Sequence, residues 1–264
     1  DYELAKAKIS LSQLTGDEQL SHILGIAENP IFNFSSKLQG DDEPKQASQG
    51  LKEYVQFLKD NEREIVGVST GYPIYDWAIG GGLREKCISL LGGRLKSGKS
   101  IVADNIGLNI AKRQIKILIV DTEMSELDRW PRIISCISGV KINDIETGKF
   151  KKDKNKEIKV NQAIELLESI PFYYISVIDK EFEDIISIMR RWKMKNVKDN
   201  EKCVVIFDWF TLGMELDRGI KEYQALGFQM ISTKRFVARH NVACLALTQL
   251  NREGIDDETS GVIA

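Results

Sequence analysis

The sequence has few histidines, and its cysteines are not clustered. The two histidines, His22 and His240, are too few and too far apart to form a histidine-based site. The four cysteines show no C-x-x-C spacing, which argues against a zinc site or a disulfide framework. Three of them begin or lie within apolar strand-like runs. We therefore expect reduced core cysteines of a cytosolic protein: Cys87, Cys136, Cys203 and Cys244.

Long apolar runs and an excess of basic residues are also missing. No apolar stretch approaches the roughly 20 residues of a membrane-spanning helix, and the amino terminus lacks the pattern of a signal peptide. The net charge is −2, so the composition shows no basic coat for nucleic acid, and contacts with a polyanion would have to come from local loops. The 42% of apolar residues suffices for a packed core.

The stretch GGRLKSGKS at 92–100 contains the phosphate-loop pattern G-x-x-x-x-G-K-S. In this pattern backbone N–H groups surround the phosphates of a nucleotide, Lys99 reaches the β- and γ-phosphates, and the Ser100 hydroxyl binds Mg²⁺. The flanks agree, because an apolar run at 87–91 predicts a strand before the loop and 100–112 predicts a helix after it. The residues expected to hold the nucleotide are Gly93, Lys96, Ser97, Gly98, Lys99, Ser100 and Ile101.

From about residue 84 onward, apolar runs alternate with segments of helical length. This alternation predicts an α/β fold with a mostly parallel sheet, helices on both faces and at least five central strands. Predicted strands are 87–91, 116–120, 172–176, 204–210 and 241–250. Predicted helices are 100–112, one that follows Ser125 as its N-cap, 157–169, 181–196 and 221–240.

The first 64 residues differ in character from the rest. We expect a helical amino-terminal segment and linker helix over 1–64, followed by a nucleotide-binding domain over 65–264. Segment 40–50 is polar and typical of a linker, whereas 51–64 predicts a helix with a narrow apolar stripe. The stripe packs on the core of its own chain or docks on a neighbouring subunit, and its residues are Leu51, Tyr54, Val55 and Leu58.

Three polar residues lie at or near the carboxyl ends of predicted strands, where parallel sheets place their ligands. Asp208 follows the run VVIF in a Walker B arrangement and is assigned to Mg²⁺, with the capping of a turn as the alternative. Glu123 is the candidate for positioning or deprotonating water, with Asp121 and Glu126 as nearby competitors. Gln249 ends the last strand, where it would either contact the γ-phosphate or cap a turn.

Taken in order, these residues resemble the ATPase domain of the DnaB-family replicative helicases, which are hexameric RecA-like motors. The segment STGYPIYDWAIGGGL at 69–83 is similar to the T-G-x-x-x-L-D-x-x-x-G-G-L segment that opens that domain. DTEMS at 121–125 resembles S-L-E-M-S, and TQLNRE at 248–253 is close to S-Q-L-N-R. The pairing of E-M-S with Q-L-N-R-E is the most specific part of the resemblance.

The resemblance implies a RecA-like P-loop core that hydrolyses ATP with Mg²⁺ and moves along single-stranded DNA as a homo-oligomeric ring. It implies that Glu123 acts on the attacking water and that Gln249 senses the γ-phosphate. It also implies a DNA-gripping loop that begins with Asn251, Arg252 and Glu253. A primase and a helicase loader are the implied partners, and the cytoplasm of a bacterium or of an infected host cell is the implied location.

Two departures leave other functions open. The segment GIDDETSGVIA that follows QLNRE is acidic, where helicases of this family carry more basic residues, and the arginine finger of the family is expected beyond residue 264. A recombinase or KaiC-like ATPase would share the same P-loop and opening segment. A nucleotide-binding scaffold without turnover is the third alternative. The basic clusters at 148–159 and 190–198 are expected to be solvated polar surfaces.

Overall fold

Five apolar runs form one parallel sheet in the computed structural model of the protein. The structure describes residues 46–62, 65–94, 96–208 and 222–249, and the single residues Lys8, Ser12, Ile26 and Glu28. The chain divides into two units, of which the smaller comprises Asp1–Glu64 with Phe182–Ser187 and the larger Ile65–Glu181 with Ile188–Ala264. The sheet belongs to the larger unit.

The strands of the sheet are β1 (Ile88–Gly93), β2 (Lys116–Asp121), β3 (Phe172–Ser176), β4 (Cys203–Asp208) and β5 (Ala243–Gln249). They lie in the order β1-β5-β4-β2-β3, and every pairing is parallel. The prediction of a mostly parallel sheet with five or more strands is confirmed. Parallel strands need crossover connections, and helices in the intervening sequence supply them.

The described helices lie between the strands and before the first of them. They are α1 (Ala47–Asp60), α2 (Pro73–Ala78), α3 (Lys99–Lys112), α4 (Glu126–Ser138), α5 (Ile142–Glu146), α6 (Lys154–Ser169), α7 (Phe182–Asn196) and α8 (Glu222–His240). A short 3₁₀ helix spans Lys149–Lys152. The predicted helices from residue 51 onward are all present, with shifts of one to four residues at their ends. The expected helical segment before residue 46 lies outside the described residues, apart from four single positions.

Local chemistry explains where several helices begin. Ser125 is the N-cap of α4, because its hydroxyl oxygen accepts from the backbone N–H of Asp128, as the sequence predicts. Helix α6 begins three residues before the predicted start at 157, because the Asp153 carboxylate accepts from the backbone N–H groups of Asn155 and Lys156. Pro131 lies within α4, and the helix continues through it.

The core packs α3 against the middle of the sheet. Strands β2, β4 and β5 are apolar and buried along most of their length, as expected where helices cover both faces. Leu83 and Val68 extend this core through an antiparallel bridge that joins the two ends of segment 68–83. The bridge holds that segment against the same apolar cluster as α3.

Asp76 organises the segment that precedes β1. Its carboxylate, only 5% exposed, accepts from the Ser69 hydroxyl at 2.6 Å, the Thr70 hydroxyl at 2.7 Å and the Thr70 backbone N–H at 2.8 Å. The carbonyl oxygen of Thr70 accepts in turn from the side chain of Asn109 on α3 at 3.2 Å. The segment is thereby tied to the helix that follows the phosphate loop.

Asp76→Ala is expected to lower the free energy of unfolding by about 2–3 kcal/mol, because it leaves buried donors without their charged acceptor. Urea denaturation of both proteins measures the difference. Asp199→Ala, a change at an exposed position, is the matched control and should stay within about 0.5 kcal/mol of the unchanged protein. Equal unfolding midpoints for the two variants would show that the Asp76 network contributes nothing.

Some surface expectations need correction. Cys203 and Cys244 are buried, but Cys136 is exposed on α4 and is not a core residue; all four cysteines are free. The cluster at 190–198 is not a uniformly solvated surface, because Arg190 and Trp192 are each only 8% exposed. The lysines of the 3₁₀ helix in the other cluster are exposed, as expected.

Helix α1 carries the predicted apolar stripe, and the stripe is exposed. Leu51, Tyr54, Val55 and Leu58 are between 45% and 62% exposed. In the part of the chain that the structure describes, no helix combines the length and hydrophobicity that a membrane span requires. The expected DNA-gripping residues lie outside the described residues: Asn251, Arg252 and Glu253.

Candidate active site

The carboxyl ends of four neighbouring strands bring the candidate residues to one edge of the sheet. In the strand register Gly93 of β1 pairs with Gln249 of β5, and Asp121 of β2 pairs with Asp208 of β4. Because β5 and β4 are also neighbours, the phosphate loop, the amide of Gln249 and the two carboxylates follow one another along this edge. Ligands of open α/β sheets bind at such an edge.

The phosphate loop closes on itself through Lys99. The ammonium group of Lys99 donates to the carbonyl oxygens of Gly93 and Arg94, both at 3.0 Å. Gly98 has a φ of +86° at the N-cap of α3, a backbone conformation that favours glycine. A Cβ atom at Gly93 would lie 2.7 Å from the Ser97 hydroxyl oxygen, so the glycine keeps the interior of the loop open.

The loop residues assigned to the nucleotide lie at the amino end of α3. Lys96 and Ser97 are exposed, and Lys96 has a φ of +60°. Ile101, in the first turn of the helix, is 60% exposed. Helix amino termini direct unpaired N–H groups and a partial positive charge toward an anion, which suits this place to a phosphate group.

Ser100 and Asp208 have the donor chemistry that Mg²⁺ prefers. The Ser100 hydroxyl donates to Oδ1 of Asp208 at 3.3 Å, so two oxygen ligands adjoin the amino end of α3. Among the described residues, no group of three or more His, Cys, Asp or Glu side chains is arranged to hold a metal ion. Mg²⁺ usually retains waters and uses substrate phosphates beside one or two protein ligands, and these residues fit that mode.

Glu123 is exposed in the turn that follows β2. Oδ1 of Asp121 accepts from the backbone N–H groups of Glu123 and Met124, both at 2.9 Å, and so fixes this turn. Partial burial raises the pKa of Glu123, the negative charges of Asp208 and Asp121 raise it further, and the positive charge of Lys99 opposes the rise. Glu123 is therefore within electrostatic range of both Lys99 of the phosphate loop and the carboxylate of Asp208.

The two competitors of Glu123 occupy different environments. Asp121 is fully buried, and both of its carboxylate oxygens accept hydrogen bonds, so it is poorly placed to contact a water near the phosphate. Glu126 is exposed in the first turn of α4. Gln249 is half-buried at the end of β5.

A buried cluster around Arg129 was missed by the sequence analysis. Arg129 on α4 is 0% exposed, and its guanidinium pairs with Asp104 of α3, with Asp121 at 3.0 Å and with Asp208 at 3.0 Å. The one signal in the sequence is Asp104, an acidic residue within the apolar face of a helix. Burial raises the pKa of Asp104 to about 6, against the lowering effect of Arg129. For Arg129 burial alone would lower the pKa, but the three carboxylates raise it.

Tyr174 of β3 completes this cluster. Its hydroxyl lies 2.9 Å from the carbonyl oxygen of Met124 and 3.2 Å from Oδ2 of Asp121, and it can donate a hydrogen bond to either oxygen. Its ring packs edge to face with that of Trp130, with centroids 5.2 Å apart. The turn that carries Glu123 is thus held from β2 and from β3.

Comparisons with known proteins place the chain in a family. The family model described as "DnaB-like helicase C terminal domain" matches residues 67–259. The replicative DNA helicase DnaB of Treponema pallidum (strain Nichols) is 27% identical over 194 residues, which are 73% of this chain and 42% of that protein. The replicative DNA helicase DnaB of Helicobacter pylori is 22% identical over 254 residues, 93% of this chain and 50% of that protein. The chain thus spans about half the length of these curated relatives or less.

Two solved structures share the fold. The ATPase domain of G40P superposes with a TM-score of 0.71 at 17% identity, covering 81% of this chain and 74% of that chain. A DnaB-like replicative helicase, solved with a view to its interactions with primase, superposes with a TM-score of 0.67 at 17% identity, covering 97% of this chain and 60% of that chain. Both likenesses support the RecA-like α/β architecture. The matched residues 67–259 cover most of the chain, and the chain therefore belongs to the family of DnaB-like helicase C-terminal domains.

Proposed function

We propose that this chain is the ATPase part of a replicative DNA helicase, a ring-shaped motor that hydrolyses ATP to move along single-stranded DNA and separate duplex strands. One observation carries the proposal. The register of the sheet places Gln249, which leads into the QLNRE segment, directly beside Gly93 of the phosphate loop. A change at the nucleotide phosphates therefore has a short path to the segment proposed to contact DNA.

In the proposed reaction the residues of the loop bind and orient the triphosphate. Backbone N–H groups of the loop and of the first turn of α3 surround the phosphates, and Lys99 neutralises the β- and γ-phosphates. Glu123 orients the attacking water and accepts its proton, a role that suits a carboxylate with a raised pKa. Gln249 contacts the γ-phosphate through its amide.

Ser100 and Asp208 hold Mg²⁺ in this proposal. When bound, the ion supplies charge neutralisation at the phosphate oxygens during transfer to water. Asp208 is 3% exposed, and its carboxylate already accepts a hydrogen bond from Ser100, so the side chain would need little rearrangement to coordinate the ion. Phosphoryl transfer also needs positive charge at the γ-phosphate, which we assign to an arginine from a neighbouring subunit.

The exposed stripe of α1 fits assembly into a ring. Four apolar side chains on one helix remain 45–62% exposed, and we propose that they dock on the neighbouring subunit: Leu51, Tyr54, Val55 and Leu58. DNA contact is assigned to the segment that begins with Asn251, Arg252 and Glu253, largely through phosphate groups, which gives no preference for sequence. The relative noted for its interactions with primase makes primase a proposed partner; a helicase loader is proposed as well.

Unwinding of a forked DNA duplex by the full-length protein tests the function. We expect strand separation that requires both ATP and Mg²⁺, and we expect Lys99→Ala to show none, because the phosphates lose their main cation. A labelled strand followed by native gel electrophoresis reports the separation.

Two further measurements distinguish a helicase from other ATPases. Single-stranded DNA should stimulate ATP hydrolysis, and electron microscopy should show closed rings. ATP hydrolysis without strand separation, together with open nucleoprotein filaments, would contradict the helicase proposal and indicate a recombinase-like protein.

A further inference from the structure

We propose that Arg129 is a positioning residue of the hydrolysis site, which fixes the magnesium carboxylate of Asp208 and the turn of Glu123 in a single arrangement. The inference rests on the proposed ATP hydrolysis at this site. It adds a residue that none of the sequence motifs contains. Arg129 touches neither the phosphates nor the water in this proposal and acts through the carboxylates that it holds.

The contacts of Arg129 join three elements of the fold. Its Nη1 donates to Oδ2 of Asp121 at the end of β2 and to Oδ2 of Asp208 at the end of β4, both at 3.0 Å. Its Nη2 donates to Oδ1 of Asp104 in the middle of α3. A buried guanidinium destabilises the fold unless it is well paired, so these carboxylates specify its place.

The two carboxylate oxygens of Asp208 accept hydrogen bonds from different donors. Oδ2 accepts from the guanidinium, whereas Oδ1 accepts from the Ser100 hydroxyl at 3.3 Å. With Oδ2 held, the side chain cannot turn its other oxygen away from Ser100 without breaking a buried ion pair. Arg129 thereby keeps one oxygen of Asp208 directed toward the proposed magnesium position.

The same nitrogen also controls the turn of Glu123. Asp121 accepts from Arg129 Nη1 with Oδ2 and from the backbone N–H groups of Glu123 and Met124 with Oδ1. One hydrogen bond therefore joins Arg129 Nη1 to Asp208, the proposed magnesium ligand. Two hydrogen bonds, through Asp121, join the same nitrogen to the backbone of Glu123, the proposed base. A displacement of Arg129 would move the two together, which is what coordinated positioning requires.

The charge and shape of arginine suit this place better than those of lysine. The planar guanidinium presents several N–H donors in fixed directions, whereas the lysine ammonium is a point charge on a flexible chain. Three carboxylates surround one guanidinium, so negative charge is in excess in the cluster, and one of these carboxylates, Asp208, contacts Ser100. An added divalent cation at Ser100 reduces that excess.

Two variants of the full-length protein test the role. Arg129→Lys keeps a positive charge but replaces the planar fork of donors with a single ammonium group on a flexible chain. The triple variant Arg129→Met, Asp104→Leu, Asp121→Asn removes the buried ion pairs together, so that no carboxylate of the cluster except Asp208 is left. The amide oxygen introduced by Asp121→Asn retains an acceptor for the two backbone N–H groups. Arg235→Met, which makes the same arginine-to-methionine change at an exposed site on α8, is the matched control.

The readouts separate positioning from general stability. Mn²⁺ binding in the presence of ATP is followed by electron paramagnetic resonance, ATP binding in EDTA by calorimetry, and folding by circular dichroism. In both Arg129 variants we expect kcat and Mn²⁺ affinity to fall by about 10–100-fold, as for other residues that orient metal ligands, with ATP binding in EDTA unchanged. The control should match the unchanged protein in kcat, in Mn²⁺ affinity, in ATP binding and in its circular dichroism.

The inference and the proposed function fail in different ways. Mn²⁺ affinity equal to that of the Arg235→Met control, in either folded variant, would overturn the role of Arg129. Absence of ATP hydrolysis in the unchanged protein would contradict the proposed function, while the Mn²⁺ measurement would still decide the role of Arg129. If the triple variant does not fold, Arg129→Lys decides the question, since it preserves the buried charge.

Discussion

Glu123→Gln is expected to lower kcat for ATP hydrolysis by about 10³-fold, within the range that a positioned general base supplies. Glutamine keeps the shape of the side chain, and the turn is fixed by the carboxylate of Asp121, so the backbone should not move. The amide cannot accept a proton from the attacking water. Binding of ATP, measured by calorimetry with Mg²⁺ present, should change little.

Glu126→Gln is the matched control for this prediction. Glu126 is exposed three residues further along the chain, in the first turn of α4, and the same chemical change there should leave kcat unchanged. If Glu126→Gln abolished hydrolysis and Glu123→Gln did not, the assignment of the base would be wrong. Equal loss in both variants would point to an effect on the shape of the turn.

Lys99→Ala is expected to weaken ATP binding by about 10–100-fold, because hydrogen bonds to charged phosphates are lost at a partly buried site. The loss of charge at the γ-phosphate should lower kcat/KM further, by about 10²–10³-fold in total. The ammonium group also links the carbonyl oxygens of Gly93 and Arg94, so the unliganded loop loses a closing contact. Calorimetry with ATP and a coupled phosphate assay measure both effects.

Lys112→Ala tests whether the effect is specific to the loop. Lys112 is exposed in the last turn of the same helix, α3, and its removal should leave ATP binding and kcat/KM unchanged. Thermal unfolding of both variants shows whether the helix is intact. ATP affinity that survived in Lys99→Ala would contradict the assignment of the loop.

The strand ends were predictable because their signal is local. An apolar run that stops at an acidic residue is visible in VVIFD and in ILIVD, and both runs are buried strands that end at Asp208 and Asp121. The phosphate loop is equally local, since its glycines and lysine lie within eight consecutive residues. Because these features are encoded in neighbouring residues, the sequence predicts the strands and the phosphate loop with small errors at their ends.

The Arg129 cluster could not be predicted because two of its three partners are distant in the sequence. Arg129 is 8 residues from Asp121, but 25 from Asp104 and 79 from Asp208, and only the folded arrangement of α3, α4, β2 and β4 brings them together. In sequence, Arg129 looks like an ordinary polar residue of an amphipathic helix. The sequence favoured Glu123 over Asp121 and Glu126, and the structure adds a physical difference, because Asp121 is buried and Glu123 is exposed.

The pairing of β5 has a mechanical consequence. Strand β5 is bonded to β1 on one side and to β4 on the other, and both ladders resist a pull on Gln249 along the axis of β5. Its hydrogen bonds run across the direction of the pull, so they are loaded in shear and share the force, instead of opening one after another from an end. A β5 strand at the edge of the sheet would resist with one ladder only. The interior place of β5 therefore makes it a stiff tether for the chain that follows it.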